Sequence, residues 1–338
     1  MQKCIYCLKE YREGDLTNEH IISNTLGCNL QLKKCVCKEC NSKFGYSLEA
    51  ALTNGLEFFR QKFGIKNKKG KVPTTEWSGI INGQKVDFIW DRQKSEVPIM
   101  KNPIFISKRR LPDGRIACIF RTDHEKQAKT IEKKLKGRYQ EVNFEQIGHK
   151  EVTVEGVYER ELNFLISSQT LRCIAKFGFN YLCFALGKRY AFRSELQGIR
   201  KYIFEGKEPF PFPSFLLYDP TVLSRLQISI PNHVILLCLD NKRGIIGAIV
   251  VLLGMFYYYV ILSSSYTGLD IYRIHTFDPV TRKSTDSSHR LVGGVFPSVP
   301  FEKFQYSAER DPNKVFRQAC EYAFSKYKDF IRPSILHA

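Results

Sequence analysis

The sequence is short of acidic residues and lacks several common catalytic signatures. It has 34 Asp and Glu residues against 52 Lys and Arg residues, so the 338-residue chain carries a formal net charge of +18. It contains no internal repeat, no phosphate-binding loop of the G-x-x-x-x-G-K-S/T type and no G-x-S-x-G elbow. These absences exclude solenoid architectures, P-loop nucleotide hydrolysis and the α/β-hydrolase mechanism. The positive balance favours a polyanion, such as a nucleic acid, as the partner.

Apolar segments typical of secreted or membrane proteins are scarce. Residues 1–3 open the sequence without an apolar signal region, so we expect a cytoplasmic protein. The uncharged residues 245–262 reach the lower length of a transmembrane helix. Their β-branched and aromatic side chains, with Gly254 in the position of a turn, instead favour two buried strands that follow a third at residues 233–239. We therefore expect an antiparallel meander here and no membrane contact.

Four of the eleven cysteines form two close pairs. Cys4 and Cys7 make one C-x-x-C pair, and Cys37 and Cys40 make the second after the 29 residues from 8 to 36. Each pair can supply two thiolates to a tetrahedral zinc ion, and this spacing predicts a structural zinc site in a chain without a secretory signal. Free or disulfide-bonded thiols are the alternative. The remaining cysteines lack paired spacing, and we expect most of them to be buried small apolar residues.

An acid–histidine step, Glu19-His20, lies between the cysteine pairs, and Asn41 directly follows the last cysteine. A plain zinc ribbon needs none of these three residues. Alternation along a strand would place Glu19 and His20 on opposite faces, so both serve one site only where a bulge or a strand edge re-aims one of them. The spacing of apolar residues predicts one helix over residues 41–63, with Asn41 in its first turn, where phosphate binding is favoured.

Together these residues resemble the HNH endonucleases, which share a ββα-metal core. The order C-x2-C, E-H-I-I, L-G and V-C-x2-C-N-x3-G over residues 4–63 is most similar to the branch whose motif ends in C-N. The resemblance implies that His20 is the general base that activates water, and that Glu19 and Asn41 hold a Mg²⁺ or Mn²⁺ ion. The chemistry agrees, because histidine ordinarily titrates near neutral pH and hard cations prefer oxygen ligands.

This chain departs from the usual family pattern at three points. Glu19 stands where the family often has Asp, and Asn41 stands where it often has His; both replacements keep an oxygen donor or occur in relatives. For the middle Asn of the motif, Asn29 is the first candidate and Asn24 the second, because residues 32–34 occupy the usual position before the second cysteine pair. Besides catalysis, His20 could serve a structural role or belong to a degenerate core that only binds DNA.

The predicted fold class is α+β, with an N-terminal ββα-metal, treble-clef-like zinc module followed by a larger mixed α+β region with antiparallel sheets. We expect three domains. They are the nuclease module at residues 1–65, a β-rich basic region with one charged helix at residues 66–165, and a helical pair, β-meander and C-terminal helix at residues 166–338. The expected elements include a hairpin over residues 77–90 that turns at Asn82-Gly83, and a second hairpin that turns at Asp113-Gly114. They also include helices at 123–137, 168–186 and 192–205 and a strand at 151–164.

The leading functional hypothesis is a metal-dependent DNA endonuclease, similar to effectors of bacterial antiviral defence or to nucleases of mobile elements. One alternative is a non-catalytic zinc-knuckle protein with a DNA-binding or regulatory role. Others are an RNase, or a nuclease that is silent until a protein partner or small activator binds the C-terminal region. Glu19, His20 and Asn41 favour catalysis, because binding alone does not need them. The sequence leaves open whether the protein forms a homo-oligomer.

Overall fold

A computed structural model describes most of the chain, and tertiary contacts divide it into two compact units. One unit combines Met1–Lys71 with Glu161–Ala338, and the other is Val72–Arg160. The three-domain division expected from the sequence stays a prediction. The described residues are 1–67, 69–81, 84–91, 99–102, 104–112, 115–122, 125–137, 162–206, 215–216, 226, 228–286, 288, 316–323 and 325–326.

The first 44 residues form the predicted zinc module with a ββα core. Its elements are β1 (Gln2–Lys3), β2 (Glu10–Tyr11), β3 (Leu16–His20), β4 (Gln31–Cys37) and α1 (Lys38–Phe44). β1 pairs with β2 and β3 with β4, both antiparallel. The β3–β4 register shifts between Thr17 and Glu19, so that Asn18 alone faces residues 33–35 of β4. Lys34 has a φ of +48° in this bulge and its N–H donates to Asn18 Oδ1, 3.1 Å away.

The single helix predicted over residues 41–63 begins earlier and is broken into segments, so that prediction was wrong in its detail. After α1 come a π-helical turn (Gly45–Glu49), α2 (Ala50–Gly55) and α3 (Glu57–Lys62). The second break follows Gly55, where an added Cβ would lie 2.1 Å from the ring of Phe164. Close packing of that ring against the backbone therefore requires glycine at the last residue of α2.

The described residues of the unit Val72–Arg160 form two antiparallel sheets and one helix. They comprise β5 (Thr75–Ile81), β6 (Gln84–Trp90), β7 (Ile99–Met100), β8 (Ile104–Arg110), β9 (Ile116–Arg121) and α4 (Glu125–Lys136). Both hairpins and the charged helix are confirmed, while the turns at Asn82-Gly83 and Asp113-Gly114 lie outside the described residues. Of the strand expected at 151–164, residues 151–161 also lie outside them. Leu162–Ile166 is a 3₁₀ helix, so the strand was wrong there.

Among the described residues that follow, the main elements are a helical pair and a six-stranded antiparallel sheet. The elements are α5 (Ser168–Leu186), α6 (Gln197–Glu205), β10 (Phe215–Leu216), β11 (His233–Asp240), β12 (Ile245–Leu252), β13 (Phe256–Ser263), β14 (Ile271–Asp278) and β15 (Lys283–Asp286). The spatial order is β10-β13-β12-β11-β14-β15. α5 has the predicted bounds. α6 starts later than predicted, because two 3₁₀ turns, Lys188–Phe192 and Ser194–Leu196, precede it.

The apolar stretch at residues 245–262 forms two strands, as predicted. Leu253 and Gly254 both have positive φ in the turn between β12 and β13, and a Cβ on Gly254 would lie 2.8 Å from the carbonyl oxygen of Ser229. Nearly every residue of these two strands is buried. Among the described residues, no helix has the length and apolar character needed to cross a membrane.

α5 packs between the zinc module and the sheet within one apolar core. The core includes Phe44 of α1, Phe177 and Phe179 of α5, and Val260 of β13. Gly178 brings α5 close to the sheet, since an added Cβ would lie 3.2 Å from the Cβ of Ala248. The residues on either side of this glycine therefore have fixed positions relative to both the sheet and the module.

Candidate active site

The two cysteine pairs converge on one point. The Sγ atoms of Cys4, Cys7, Cys37 and Cys40 all lie within 4.8 Å of one another, and those of Cys7 and Cys37 are 3.8 Å apart. A Zn–S bond of about 2.3 Å in a tetrahedron separates sulfur atoms by about 3.8 Å. The backbone N–H of Cys37 also points to Cys4 Sγ at 3.4 Å. The four side chains are therefore arranged as a structural zinc ion requires.

The unpaired cysteines take no part in this cluster. Cys28 and Cys35 are buried, and burial raises the pKa of the Cys28 thiol to about 11 and that of Cys35 to about 12. Cys118 is exposed, so for this residue the expectation of burial was wrong. It lies on β9 of a two-stranded hairpin, a structure that cannot bury both of its faces by itself.

Glu19 and His20 leave β3 in different directions, as strand alternation predicts. The Glu19 residue is only 2% exposed, whereas His20 is half-buried. The inward carboxylate of Glu19 meets α5, where Lys176 Nζ and Asn180 Nδ2 both donate to its Oε1. Its Oε2 is buried and has no hydrogen-bond partner among the described residues. One oxygen of this carboxylate thus accepts hydrogen bonds from α5, and the other has no hydrogen-bond donor among the described residues.

Lys176 is a fully buried lysine held between two carboxylates. Its Nζ contacts Oε1 of Glu19 and lies 2.7 Å from Oε1 of Glu49, in the π-helical turn. Burial would lower the pKa of Lys176, but the two carboxylates outweigh burial and raise it. Burial would likewise raise the pKa of Glu49, but Lys176 lowers it. Burial does raise the pKa of Glu19, against the opposing charge of Lys176. Lys176 thus favours the charged form of Glu49, whereas burial opposes the charged form of Glu19.

Asn180, one turn after Lys176, connects the first zinc knuckle to the acid–histidine step. Its Oδ1 accepts a hydrogen bond from the Tyr6 hydroxyl, and its Nδ2 donates to the backbone carbonyl of His20 at 2.9 Å. All three groups lie in the interior or at its edge. The carbonyl bond holds the backbone of His20, while the side chain stays on the opposite, more open face.

Two amides surround the imidazole of His20. The Nδ2 of Asn24 lies 3.2 Å from His20 Nε2, and the Nε2 of Gln31 lies 2.6 Å from it. Amide nitrogens only donate, so Nε2 of His20 is the acceptor. Of the two residues considered for the middle Asn of the motif, Asn24 is the one in contact with His20. Asn29 accepts a hydrogen bond from Asn24 at 3.4 Å, so its connection to His20 runs through Asn24.

Asn41 lies in the first part of α1, beside the start of β3. Its Nδ2 donates to Thr17 Oγ1 at 2.8 Å and to the carbonyl of Asn18 at 3.1 Å. Its Oδ1 is not used in these bonds. The side chain is therefore anchored to the strand that carries Glu19 and His20, with an oxygen left for another ligand.

Arg282, in the turn between β14 and β15, reaches the loop next to His20. Its Nε and Nη2 donate to Asn29 Oδ1 at 3.0 and 2.7 Å, and its Nη1 donates to the carbonyls of Lys66 and Asn67. Through Asn24 and Asn29, the guanidinium group lies within about 10 Å of His20 Nε2. Its partners among the described residues are neutral oxygens. Its charge therefore has no ion-pair partner in that part of the chain.

Sequence patterns did not identify several of these residues as part of the site. Lys176 and Asn180 carried a usable signal, since both are polar residues four apart on the buried face of a helix otherwise lined with apolar side chains. Glu49, Gln31 and Arg282 carried none, because only tertiary contacts bring them near Glu19 and His20.

The cysteine cluster predicts a loss of zinc on substitution. We expect Cys40→Ser to lower the zinc content below the wild-type value of about one ion per chain and to lower the Tm, because the thiolate ligand also supports the fold. Metal analysis and thermal unfolding would measure both effects. Cys118→Ser, at an exposed cysteine outside the cluster, should change neither. Full zinc content in Cys40→Ser would contradict the site.

The buried triad predicts a stability change that depends on pH. We expect Lys176→Met to lower the free energy of unfolding by about 3–5 kcal/mol near neutral pH, because two buried carboxylates lose their counter-ion. The pKa of Glu49 is lowered from 4.5 in the folded state. Its ionised form therefore stabilises the wild type above that value, and this contribution is lost as pH falls through the lowered pKa.

Urea unfolding near neutral pH and in acid would measure the difference between wild type and Lys176→Met, which should shrink in acid. Lys201→Met at an exposed position of α6 removes the same charge and should change stability by less than about 0.5 kcal/mol. A difference that is independent of pH would argue against the ionised triad.

Comparison with known proteins assigns a family to the segment that carries this site. A family model described as HNH endonuclease matches residues 4–57. The matched segment contains the four clustered cysteines together with Glu19, His20 and Asn41. Searches among curated proteins and among solved structures gave no match. The resemblance noted in the motifs is thus confirmed: residues 4–57 of this chain match the HNH endonuclease family.

Proposed function

We propose that this chain is a metal-dependent endonuclease that hydrolyses phosphodiester bonds in DNA. The HNH match of residues 4–57 carries the proposal, because that family consists of nucleases and so indicates nuclease activity and nucleic-acid binding. Within that segment, Asn41 of α1 donates to the carbonyl of Asn18 in β3, the strand that also carries Glu19 and His20. By analogy with HNH nucleases that carry an additional region, we extend the proposal to an effector of bacterial defence or a mobile-element nuclease.

Glu19 and Asn41 are the residues that would hold the catalytic cation. Glu19 Oε2 is a buried oxygen without a hydrogen-bond partner among the described residues. The hydrogen bonds of Asn41 to β3 are made by its Nδ2, and its Oδ1 takes no part in them. Two carboxylates and one ammonium group leave the triad with an excess of negative charge when both acids are ionised. These features favour Mg²⁺ or Mn²⁺, which prefer oxygen ligands. When bound, the ion would stabilise the charge that develops on the phosphate and the leaving oxygen.

His20 is the proposed general base. Its Nε2 is already oriented as an acceptor by Asn24 and Gln31, and a water molecule that replaces one of these amides would donate to the same lone pair. The proton then resides on Nε2, and the imidazole becomes a cation. The negative charge of Glu49 interacts with His20 and would stabilise that cation. Asn180 meanwhile keeps the backbone of His20 in place.

A basic rim beside His20 supports a polyanionic substrate. Arg282 is its nearest member, and the exposed Lys66, Lys69, Lys71 and Lys283 follow in the two segments that Arg282 joins. At its distance from the base, Arg282 would contact a backbone phosphate next to the one that is cleaved. The rim contains residues from outside the HNH segment, so the C-terminal region would contribute to substrate binding.

The catalytic role of His20 predicts a large loss of activity without loss of fold. We expect His20→Ala to reduce nicking of supercoiled plasmid in Mg²⁺ or Mn²⁺ by about 10²–10⁴-fold, the usual effect of removing a general base. Zinc content and Tm should stay at wild-type values. His337→Ala serves as the matched histidine control and should cut as wild type does. Undiminished nicking by His20→Ala would contradict the proposal, and a wild type that binds DNA without cutting it would favour the non-catalytic alternative.

The basic rim predicts a measurable change in salt dependence. We expect Arg282→Gln to weaken duplex DNA binding and to reduce the slope of log K against log salt concentration by about one, because one phosphate contact is lost. Fluorescence anisotropy at several salt concentrations would measure the slope. Arg317→Gln, at an exposed arginine of the helix at residues 316–323, removes the same charge and should leave the slope unchanged. Equal slopes for Arg282→Gln and wild type would exclude the rim.

A further inference from the structure

The buried Lys176 occupies the carboxylate that is proposed to bind the catalytic cation. Its Nζ contacts Oε1 of Glu19, and its side chain is fully buried. Apolar side chains at all three positions of the triad would serve a purely structural role, and burying an ammonium group is costly unless carboxylates surround it. The placement of a lysine on this carboxylate therefore calls for a functional explanation.

We propose that Lys176 is a tethered cation that competes with the divalent ion for Glu19, and that α5 thereby sets the cation affinity of the active site. This inference rests on the proposed function, since it assumes that Glu19 is a ligand of the catalytic ion. A lysine ammonium and a divalent ion on one carboxylate repel each other strongly in a poorly solvated site. The resting protein would therefore bind the ion weakly, and release of Lys176 from Glu19 would strengthen binding.

Glu49 gives Lys176 a second place to bind. Its Oε1 lies 2.7 Å from Nζ, and Lys176 lowers the pKa of Glu49 against the effect of burial. When the divalent ion binds Glu19, Lys176 can keep an ion pair with Glu49 and does not become an unpaired buried charge. The two carboxylates thus define two states of one lysine, paired with both acids or with Glu49 alone.

The sheet and the active site are coupled through the same helix. Gly178, between Lys176 and Asn180, packs against Ala248 and Leu262 of the sheet without room for a side chain. Asn180 holds the carbonyl of His20, so the same helix positions the contacts of Glu19 and of His20 relative to the sheet.

The test measures Mn²⁺ binding to zinc-loaded protein without DNA, by electron paramagnetic resonance of free Mn²⁺. We expect Lys176→Gln to bind Mn²⁺ at least about tenfold more tightly than wild type, because a positive charge next to the ion is removed while a hydrogen-bond donor is kept. Glu49→Gln should bind it several-fold more weakly, because Lys176 is then left with Glu19 as its only carboxylate. Lys201→Gln, an exposed lysine of α6, controls for the loss of one charge and should equal wild type.

Opposite changes in the two triad variants support the inference, because a defect in folding would weaken binding in both. Glu19→Gln added to Lys176→Gln should abolish the gain. Mn²⁺ binding that depends on Glu19 but is equal or weaker in Lys176→Gln would overturn the inference and leave the proposed function intact. Absence of any Glu19-dependent Mn²⁺ binding in all variants would overturn the cation assignment itself. If Lys176→Gln does not fold, unchanged Mn²⁺ affinity in Glu49→Gln overturns the competition.

Discussion

A buried ammonium group must have carboxylates around it, and in this chain that requirement joins distant parts of the sequence. Lys176 comes from the long helix after the middle region, whereas Glu19 and Glu49 come from the N-terminal zinc module. An unpaired charge in the interior would cost several kcal/mol, so the helix and the module are held in one relative position. Asn180 adds a second polar connection from the same helix, to Tyr6 and to the carbonyl of His20.

Because of these contacts with α5, the HNH segment is not an independent module. The inner face of β3 is completed by α5, and the outer face near His20 is completed by Arg282 from the β14–β15 turn. Parts of the C-terminal region therefore contact both β3 and the loop between β3 and β4. Glu19 and the loop next to His20 are thus both in contact with side chains from outside the HNH segment.

The sequence predicted the parts whose signal is local. The C-x-x-C pairs converge as expected, the helix at Ser168–Leu186 has the expected bounds, and the apolar stretch at residues 245–262 forms two strands. Predictions from the sequence were wrong where packing between distant segments determines the local backbone structure. The helix after Cys40 breaks where Phe164 packs on Gly55, and Leu162–Ile166 is a 3₁₀ helix where strand propensity suggested extended backbone. Packing between distant segments also determines several contacts near Glu19 and His20, namely those of Lys176, Glu49, Gln31 and Arg282.

By itself, the sequence determined the chemical identity of the site: four thiols for a metal, and an acid, a histidine and an amide beside them. Spacing was enough because zinc knuckles and the ββα core are built from residues close together in the chain. Only the tertiary structure decided which oxygen of Glu19 is occupied, which amide faces His20, and that a lysine 157 positions away neutralises the carboxylate. These features depend on how the helix after residue 167 packs, and burial, which no local pattern specifies, sets the energy of each charge.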